Sequence, residues 1–159
     1  MERVNKILKN QKYVDYLNRN VKAEKNRIFC HHDLRHYLDV ARVAYILALE
    51  KNISIKKDVI YAAALLHDIG RWKEYLEGVD HAAASATLAK DILESSGFDN
   101  DEQAIIKEAI KNHRKYDAKN PPLDKILYRS DKLSRPCMEC TVVAKCKRFG
   151  VGESPKLFY

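Results

Sequence analysis

Apolar residues recur along this chain at spacings of three and four, the pattern of helices that bury one face. Alternation with a period of two, which indicates strands, is absent from the sequence. The pattern therefore predicts an all-α, single-domain helical bundle of six to seven helices. The predicted helices cover residues 5–18, 34–51, 56–69, 81–96, 101–115 and 123–134, with a shorter one near 139–147.

Residues with capping chemistry stand near the ends of these helices. Asp33 and Asp80 precede apolar-periodic runs and are predicted N-caps, and Asn100 is a third candidate. Gly70 and Gly97 follow helix ends, where a left-handed C-cap glycine is typical. The caps support the boundaries that the periodicity gives.

The composition fits a globular protein with one core. Of the 159 residues, 46% are hydrophobic and 32% are charged. The net charge of +7 comes from basic residues mixed with acidic ones, which favours a solvated basic surface. If the charge serves a ligand, an anionic small molecule is favoured over nucleic acid. Residues 1–10 are amphipathic, unlike a signal peptide, and no apolar run has the length of a membrane span. We therefore expect a cytoplasmic protein with no membrane partner.

The dipeptide His67-Asp68 follows the apolar run 59–66, which is predicted to be a buried helix. A helix C-terminus carries partial negative charge, so a carboxylate there, next to apolar surface, requires a nearby cation. Either the side chain of Arg71 or a metal ion meets that requirement.

Six polar residues share a face with the apolar positions of their helices. Each alone is compatible with a hydrogen-bonded core residue, but six separate buried polar groups need six sets of partners. One metal centre satisfies all six together, and imidazole with carboxylate suits ions such as iron, manganese or zinc. The predicted ligands are His36, His67, Asp68, His81, His113 and Asp131.

The order His36, His67-Asp68, Asp131 resembles the HD superfamily of metal-dependent phosphohydrolases. Two surrounding stretches are similar as well: Ala-Leu-Leu-His-Asp-Ile-Gly at 64–70 and Leu-Asp-Lys-Ile-Leu-Tyr-Arg-Ser-Asp-Lys at 123–132. The resemblance implies an HD-type helical bundle that hydrolyses a phosphoester or phosphoanhydride.

The additional His81 and His113 resemble the dinuclear subgroup, and within it the bacterial hydrolases that cleave diadenosine tetraphosphate symmetrically. On this resemblance the chain divides into an N-terminal helix within 1–30 that packs on the core, the hydrolase domain at 31–136, and a cysteine-containing extension at 137–159. The implied substrate is a phosphorylated small molecule, a nucleotide or dinucleoside polyphosphate, and a homo-oligomer is compatible with it.

The resemblance also implies how the ligands are shared. Two divalent ions are expected, with iron or manganese favoured and zinc, nickel, cobalt or magnesium possible. A water activated by both ions then attacks phosphorus in line. Asp68 bridges the ions, one of which is held by His36, His67 and Asp131 and the other by His81 and His113.

Several basic side chains are candidates for phosphate contacts. Arg71, directly after the dipeptide and its glycine, is predicted to hold a phosphate or neutralise the leaving group. The alternative is that it only balances the helix dipole. The weaker candidates are Arg114, Lys132, Arg135 and His32.

The four cysteines suggest a possible second metal site. Cys137 and Cys140 form a C-x2-C pair followed by Cys146, and Cys30 stands alone before the histidine pair at 31–32. Such a pair is a frequent half of a structural zinc site, and thiolates also hold iron–sulfur clusters. The alternative is that these cysteines remain reduced and bind nothing.

Two further function classes remain open at the level of sequence. One is a catalytically silent HD module that binds a nucleotide as a sensor, which predicts an eroded ligand set. The other is a basic helical module that binds nucleic acid, which predicts a continuous basic stripe with exposed aromatic residues. All six ligand positions are filled here, which favours the enzyme.

Overall fold

The computed structural model describes residues 1–150 and 152–159, and over those residues the protein is all-α, as the periodicity predicts. Eight α-helices and two single-turn 3₁₀ helices form this part of the chain, and no strand occurs in it. The α-helices are α1 Glu2–Lys9, α2 Gln11–Ala23, α3 Leu34–Glu50, α4 Lys57–Leu66, α5 Arg71–Glu77, α6 His81–Ser96, α7 Asn100–Asn112 and α8 Pro122–Leu133, followed by the 3₁₀ helices Cys137–Glu139 and Val143–Lys145.

Helix α4 lies at the centre of the bundle. It packs against α1, α3, α6, α7 and α8, and seven of its ten residues are buried. Three consecutive alanines, Ala62 to Ala64, are fully buried, which lets neighbouring helices approach closely. The chain segment that follows α4 therefore starts in the interior of the molecule, and this segment begins with His67-Asp68.

The predicted single N-terminal helix over 5–18 is wrong, because the chain breaks at Asn10. The side chain of Asn10 accepts hydrogen bonds from the backbone N–H groups of Lys12 and Tyr13, at 2.9 and 3.3 Å, and so caps α2. Helix α1 packs on α4 and α6, where Arg3 forms ion pairs with Asp58 and Glu102.

The other predicted helix boundaries are partly confirmed and partly wrong. Asp33 and Asp80 cap α3 and α6 as predicted, and Gly97 has the predicted left-handed conformation with φ 87°. The predicted cap at Asn100 is wrong by one residue, because Asp99 accepts from the N–H of Glu102 in a capping box. The helix predicted near 139–147 is also wrong, since only two single 3₁₀ turns form there.

Gly70 is not the left-handed C-cap that the sequence predicts. Its φ is −94°, and it is the N-cap of α5, a helix that the periodicity does not indicate. A Cβ atom at this position would lie 2.7 Å from the backbone N of Ser85 and 2.9 Å from the backbone C of Ala84. Glycine is required because α6 passes directly against the turn that carries Asp68.

Replacement of Gly70 by alanine is expected to lower the free energy of unfolding by about 2–3 kcal/mol, because backbone rather than a flexible side chain must move. Gly150→Ala is the matched control, since its Cβ would meet only ordinary contacts with Glu153, the nearest at 3.6 Å. Chemical denaturation of both variants measures the difference. Equal stability of the two variants would contradict this account of the close approach.

Among the helices that the structure describes, none combines the length and apolarity needed to cross a membrane.

Candidate metal centre

The structure brings all six predicted ligand residues into one buried cluster, together with a fifth histidine, His32. They come from α3, the turn after α4, the start of α6, the end of α7 and α8. Every member is at most 8% exposed, although each carries a polar or charged side chain. The members are His32, His36, His67, Asp68, His81, His113 and Asp131.

Asp68 lies at the centre of the cluster, and each of its carboxylate oxygens faces two imidazoles. Oδ1 is 3.1 Å from Nε2 of His81 and 3.4 Å from Nε2 of His113. Oδ2 is 3.3 Å from Nε2 of His67 and 3.5 Å from Nε2 of His32. One carboxylate thus joins two pairs of histidines.

Asp131 is the second carboxylate. Its Oδ1 is 3.4 Å from Nε2 of His36 and 3.8 Å from Nε2 of His67. Three overlapping sets of potential ligand atoms lie within 4.8 Å of one another, and these are His36–His67–Asp131, His67–Asp68–His113 and His32–His36–Asp68.

Local helix geometry orients two of the imidazoles. Nδ1 of His67 lies 2.7 Å from the carbonyl oxygen of Ala64, and Nδ1 of His113 lies 2.6 Å from that of Ile110. Both carbonyls are at helix C-termini, where backbone oxygens need partners. Since a carbonyl only accepts, each Nδ1 donates a proton, and each Nε2 is directed into the cluster.

Two more imidazoles of the cluster are oriented by glutamates, one buried and one half-buried. Nδ1 of His81 lies 2.7 Å from Oε2 of Glu74, and Nδ1 of His32 contacts Oε1 of Glu24. Burial acts to raise the pKa of Glu24, but its hydrogen bond and charge interaction with His32 lower that pKa to about 2. Carboxylates behind imidazoles in this arrangement raise the basicity of the inward nitrogen.

Three atoms of the cluster are buried without any hydrogen-bond partner: Nε2 of His36, Nε2 of His67 and Oδ1 of Asp68. A buried polar atom left in this state costs about 1–3 kcal/mol. All three are ligand atoms of types that divalent transition metals accept. The donor set therefore fits divalent ions bound within the cluster, which would give these atoms partners.

The charges of the cluster shift its proton equilibria strongly. Burial lowers the pKa of His36 to about 4. Burial also acts to lower the pKa of His67, but the carboxylates of Asp68 and Asp131 outweigh it and raise that pKa to about 9. Burial acts to raise the pKa of Asp68, and the neighbouring histidines, His67 first, hold it well below its usual range. Burial likewise acts to raise the pKa of Asp131, and Arg135 with the neighbouring histidines holds it well below its usual range, so both carboxyl groups favour the ionised form that binds cations.

A cavity of about 550 Å³ opens directly onto this cluster and is strongly basic. Its acidic lining residues are Asp68 and Asp131, which belong to the cluster. Its cationic lining residues are Arg27, Arg71, Arg114, Lys132, Arg135, Lys147 and Arg148. An anionic ligand would enter this cavity with favourable electrostatics.

The predicted phosphate-contact residues all line this cavity, but several are tied to cluster residues. Lys132 Nζ and Arg135 Nη2 bind the two oxygens of Asp131 at 2.7 and 2.6 Å. Arg71 Nη1 lies 3.0 Å from Nε2 of His81. Among the described residues, His81 belongs to none of the three sets of potential ligand atoms. The guanidinium of Arg114 binds Asp80 at 2.7 Å and is half-exposed.

His32 lies closer to the cluster than the sequence predicts for a phosphate contact. Its Nε2 is 3.5 Å from Oδ2 of Asp68 and 3.4 Å from Nη2 of Arg135. The neighbouring His31 is half-exposed and only approaches Glu24, at 3.9 Å.

Sequence reasoning missed Asn20, which fixes the turn that carries Asp68. Its side chain donates to the backbone oxygen of Asp68 at 2.8 Å and to Oη of Tyr37 at 2.9 Å, and it accepts from the N–H of Trp72 at 2.7 Å. Asn20 and Glu24 continue the buried stripe of Tyr13, with spacings of seven and four. The stripe was detectable, but the predicted helix ended at residue 18 and excluded both.

The cysteines approach the same cavity. Cys30, Cys137 and Cys146 line it, and all four cysteines are half-buried free thiols.

Comparison with known proteins was made for the whole chain. A family model described as the HD domain matches residues 33–135, which include the six predicted ligands. An uncharacterised protein of Clostridium beijerinckii is 40% identical over the full lengths of both chains. A bifunctional uridylyltransferase/uridylyl-removing enzyme of Streptomyces coelicolor is 36% identical over 59 residues, which are 36% of this chain and 6% of that enzyme. No solved structure matches.

Proposed function

This chain belongs to the HD domain family, and from that membership we propose that it is a metal-dependent phosphohydrolase. HD domains bind divalent metals, and the proposed reaction is hydrolysis of a phosphoester or phosphoanhydride bond. The proposed substrate is a nucleotide or dinucleoside polyphosphate.

The observation that carries the proposal is the set of three buried ligand atoms without partners, on His36, His67 and Asp68. In a protein core such atoms are rare, and these three belong to residues of one buried cluster whose potential ligand atoms form overlapping sets. We propose that His36, His67 and Asp131 hold one ion, that His81 and His113 hold a second, and that Asp68 contacts both.

The arrangement around Asp68 supports two ions rather than one. Its Oδ1 faces His81 and His113, whereas its Oδ2 faces His67 and His32. A carboxylate with donor groups on both oxygens suits a bridging role. The same two-ion arrangement is what the resemblance to the diadenosine-tetraphosphate hydrolases implies.

When bound, the divalent ions supply Lewis-acid activation of a water and of the phosphoryl oxygens. The chain's own residues bind the substrate and orient the metal ligands. Glu74 and the carbonyl of Ala64 hold His81 and His67 in position, and the cationic wall of the cavity binds phosphate. Arg71 is the proposed catalytic cation, because its half-buried guanidinium lies 4.0 Å from Oδ1 of Asp68.

Charge supports a substrate with more than one phosphate. Seven cationic residues line the cavity, against two carboxylates that the proposed metal ions would neutralise. We propose that Arg114, Lys132, Arg135 and His32 also contact phosphates of the substrate. The Streptomyces coelicolor relative, of which this chain matches 6%, is named for uridylyl transfer and removal.

Elemental analysis of the purified protein and a hydrolysis panel test this proposal. We expect one to two transition-metal ions per chain that are lost in Asp68→Asn, and phosphate or nucleotide release from one class of nucleotides or dinucleoside polyphosphates. Chelation is expected to stop the release and re-addition of iron or manganese to restore it. Nucleotide binding without turnover on the metal-loaded protein would favour the sensor instead, and salt-sensitive binding of random oligonucleotides would favour the nucleic-acid module.

A further inference from the structure

Three of the four cysteines, Cys30, Cys137 and Cys146, line the same cavity, although Cys30 is distant from the others in the sequence. Cys30 precedes α3, and the other three follow α8. Cys140 lies next to this group, because the C-x2-C turn joins it to Cys137. Scattered structural cysteines would show no such convergence.

The backbone at the C-terminal cysteines is folded into short turns. The N–H of Cys140 donates to the carbonyl of Cys137 at 3.3 Å, which closes the C-x2-C pair. The N–H of Phe149 donates to the carbonyl of Cys146 at 3.2 Å, so a turn begins at the third cysteine as well. A C-x2-C turn of this kind presents two thiolates to one metal centre.

No side chain of residues 136–150 is buried. Ordering a residue costs about 1–2 kcal/mol of backbone entropy, and this segment has no apolar core to offset that cost. Small segments of this kind are commonly held by a metal or another crosslink. Cysteine is usually among the most buried residue types, yet all four here remain half-exposed around a shared space.

The spacing of the thiols favours a cluster over a single ion. One zinc ion bound at about 2.3 Å holds its four sulfur atoms about 3.8 Å apart. Over the described residues, no three cysteine sulfur atoms lie within 4.8 Å of one another. An iron–sulfur cluster distributes its thiolate ligands over several iron atoms and so accepts wider spacing.

The surrounding charge supports thiolate ligands. Arg148 Nη1 lies 3.5 Å from Sγ of Cys137, and Arg135 is influenced by the charge of Cys30. Lys147 lines the same cavity. Adjacent cations stabilise thiolates and offset the negative charge of a thiolate-bound cluster.

We propose that the chain's four cysteines together bind one iron–sulfur cluster, which forms the outer wall of the cavity. The cluster is separate from the histidine–carboxylate centre and does not depend on the proposed hydrolysis. It closes the C-terminal segment onto the loop that carries Cys30, and so fixes the cations of that segment at the cavity.

Acid-labile sulfide is the decisive readout, because a histidine–carboxylate centre contains none. The full chain is purified anaerobically, reconstituted with ferrous iron and sulfide, and freed of unbound reagents. We expect labile sulfide bound together with iron and a thiolate-to-iron absorption band in the visible range. Cys137→Ser, Cys146→Ser and Cys30→Ser are each expected to lower bound sulfide at least about tenfold.

The matched control is Asp68→Asn, which is expected to lose the histidine-bound metal and keep its labile sulfide. Circular dichroism checks the fold, since the cysteines lie outside the α-helices. Reconstituted wild type without labile sulfide overturns the proposal. The cluster is also overturned if the protein binds stoichiometric zinc and only the cysteine variants lose it. The four-thiol ligand set is overturned if Cys30→Ser keeps all of its labile sulfide.

Discussion

Replacement of Asp68 by asparagine is expected to release the histidine-bound metal and to lower the hydrolysis rate at least about a thousandfold, or about 4 kcal/mol of activation free energy. The substitution preserves shape but removes the charge that faces four imidazoles at 3.1–3.5 Å. It also replaces one of the two inward oxygens by an NH₂ group, which cannot bind a cation. Elemental analysis and initial rates of phosphate release measure both effects.

Asp124→Asn is the control for this experiment. Asp124 is also a buried aspartate, and it accepts a hydrogen bond from Nδ2 of Asn112 at 2.8 Å. It precedes Asp131 by seven positions on α8, about 10 Å along the helix axis. We expect this variant to keep its metal and its rate within about twofold. Wild-type metal content and rate in Asp68→Asn would place the centre elsewhere and refute the assignment.

The six predicted ligands were accessible from sequence because each stands on a helix with clean periodicity or within two residues of its end. His36, for example, shares a stripe with Val40, Val43 and Leu47, all of which are buried. Periodicity gives only the buried face of one helix at a time. That the buried faces of several helices meet in one cluster was inferred because burying each polar group separately is energetically costly. The structure places these side chains together.

The structural features that the sequence did not predict are those in which tertiary contacts outweigh local sequence rules, or in which a segment is too short or too exposed to show a pattern. At Gly70 a C-cap rule and a close-packing requirement both call for glycine, and packing against α6 decided the conformation. The short helix α5 has no detectable period over seven residues. In the C-terminal segment, apolar periodicity is absent because no side chain there is buried, so the positions of Cys140 and Cys146 could not be derived from hydrophobic pattern.

The turn that presents Asp68 also depends on a residue outside the matched family segment. Asn20 lies on α2, before the residues 33–135 that the HD domain model covers. It is fully buried and makes three hydrogen bonds, two of them to the backbone of Asp68 and Trp72 on either side of the turn. The N-terminal helices are therefore part of the structure that positions the candidate centre.

Asn20→Ala is accordingly expected to lower the free energy of unfolding by about 3–4 kcal/mol. The carbonyl of Asp68 and the N–H of Trp72 would remain buried without partners, at about 1–3 kcal/mol each, and the hydroxyl of Tyr37 would lose its donor. For a chain of this size, a loss of this magnitude corresponds to a decrease in Tm of about 8–12 °C. Chemical and thermal denaturation of the metal-free protein measure the loss without a contribution from metal binding.

Asn18→Ala provides the matched comparison, because it makes the same substitution at an exposed position of the same helix. Alanine has the higher helix propensity, so this control is expected to be neutral or slightly stabilising. Metal affinity separates positioning from general stability. If Asn20 holds the turn in place, metal affinity falls in Asn20→Ala even at temperatures where that variant is fully folded, and it is unchanged in Asn18→Ala. Equal stability and equal metal affinity of the two variants would show that the hydrogen bonds of Asn20 do not position Asp68.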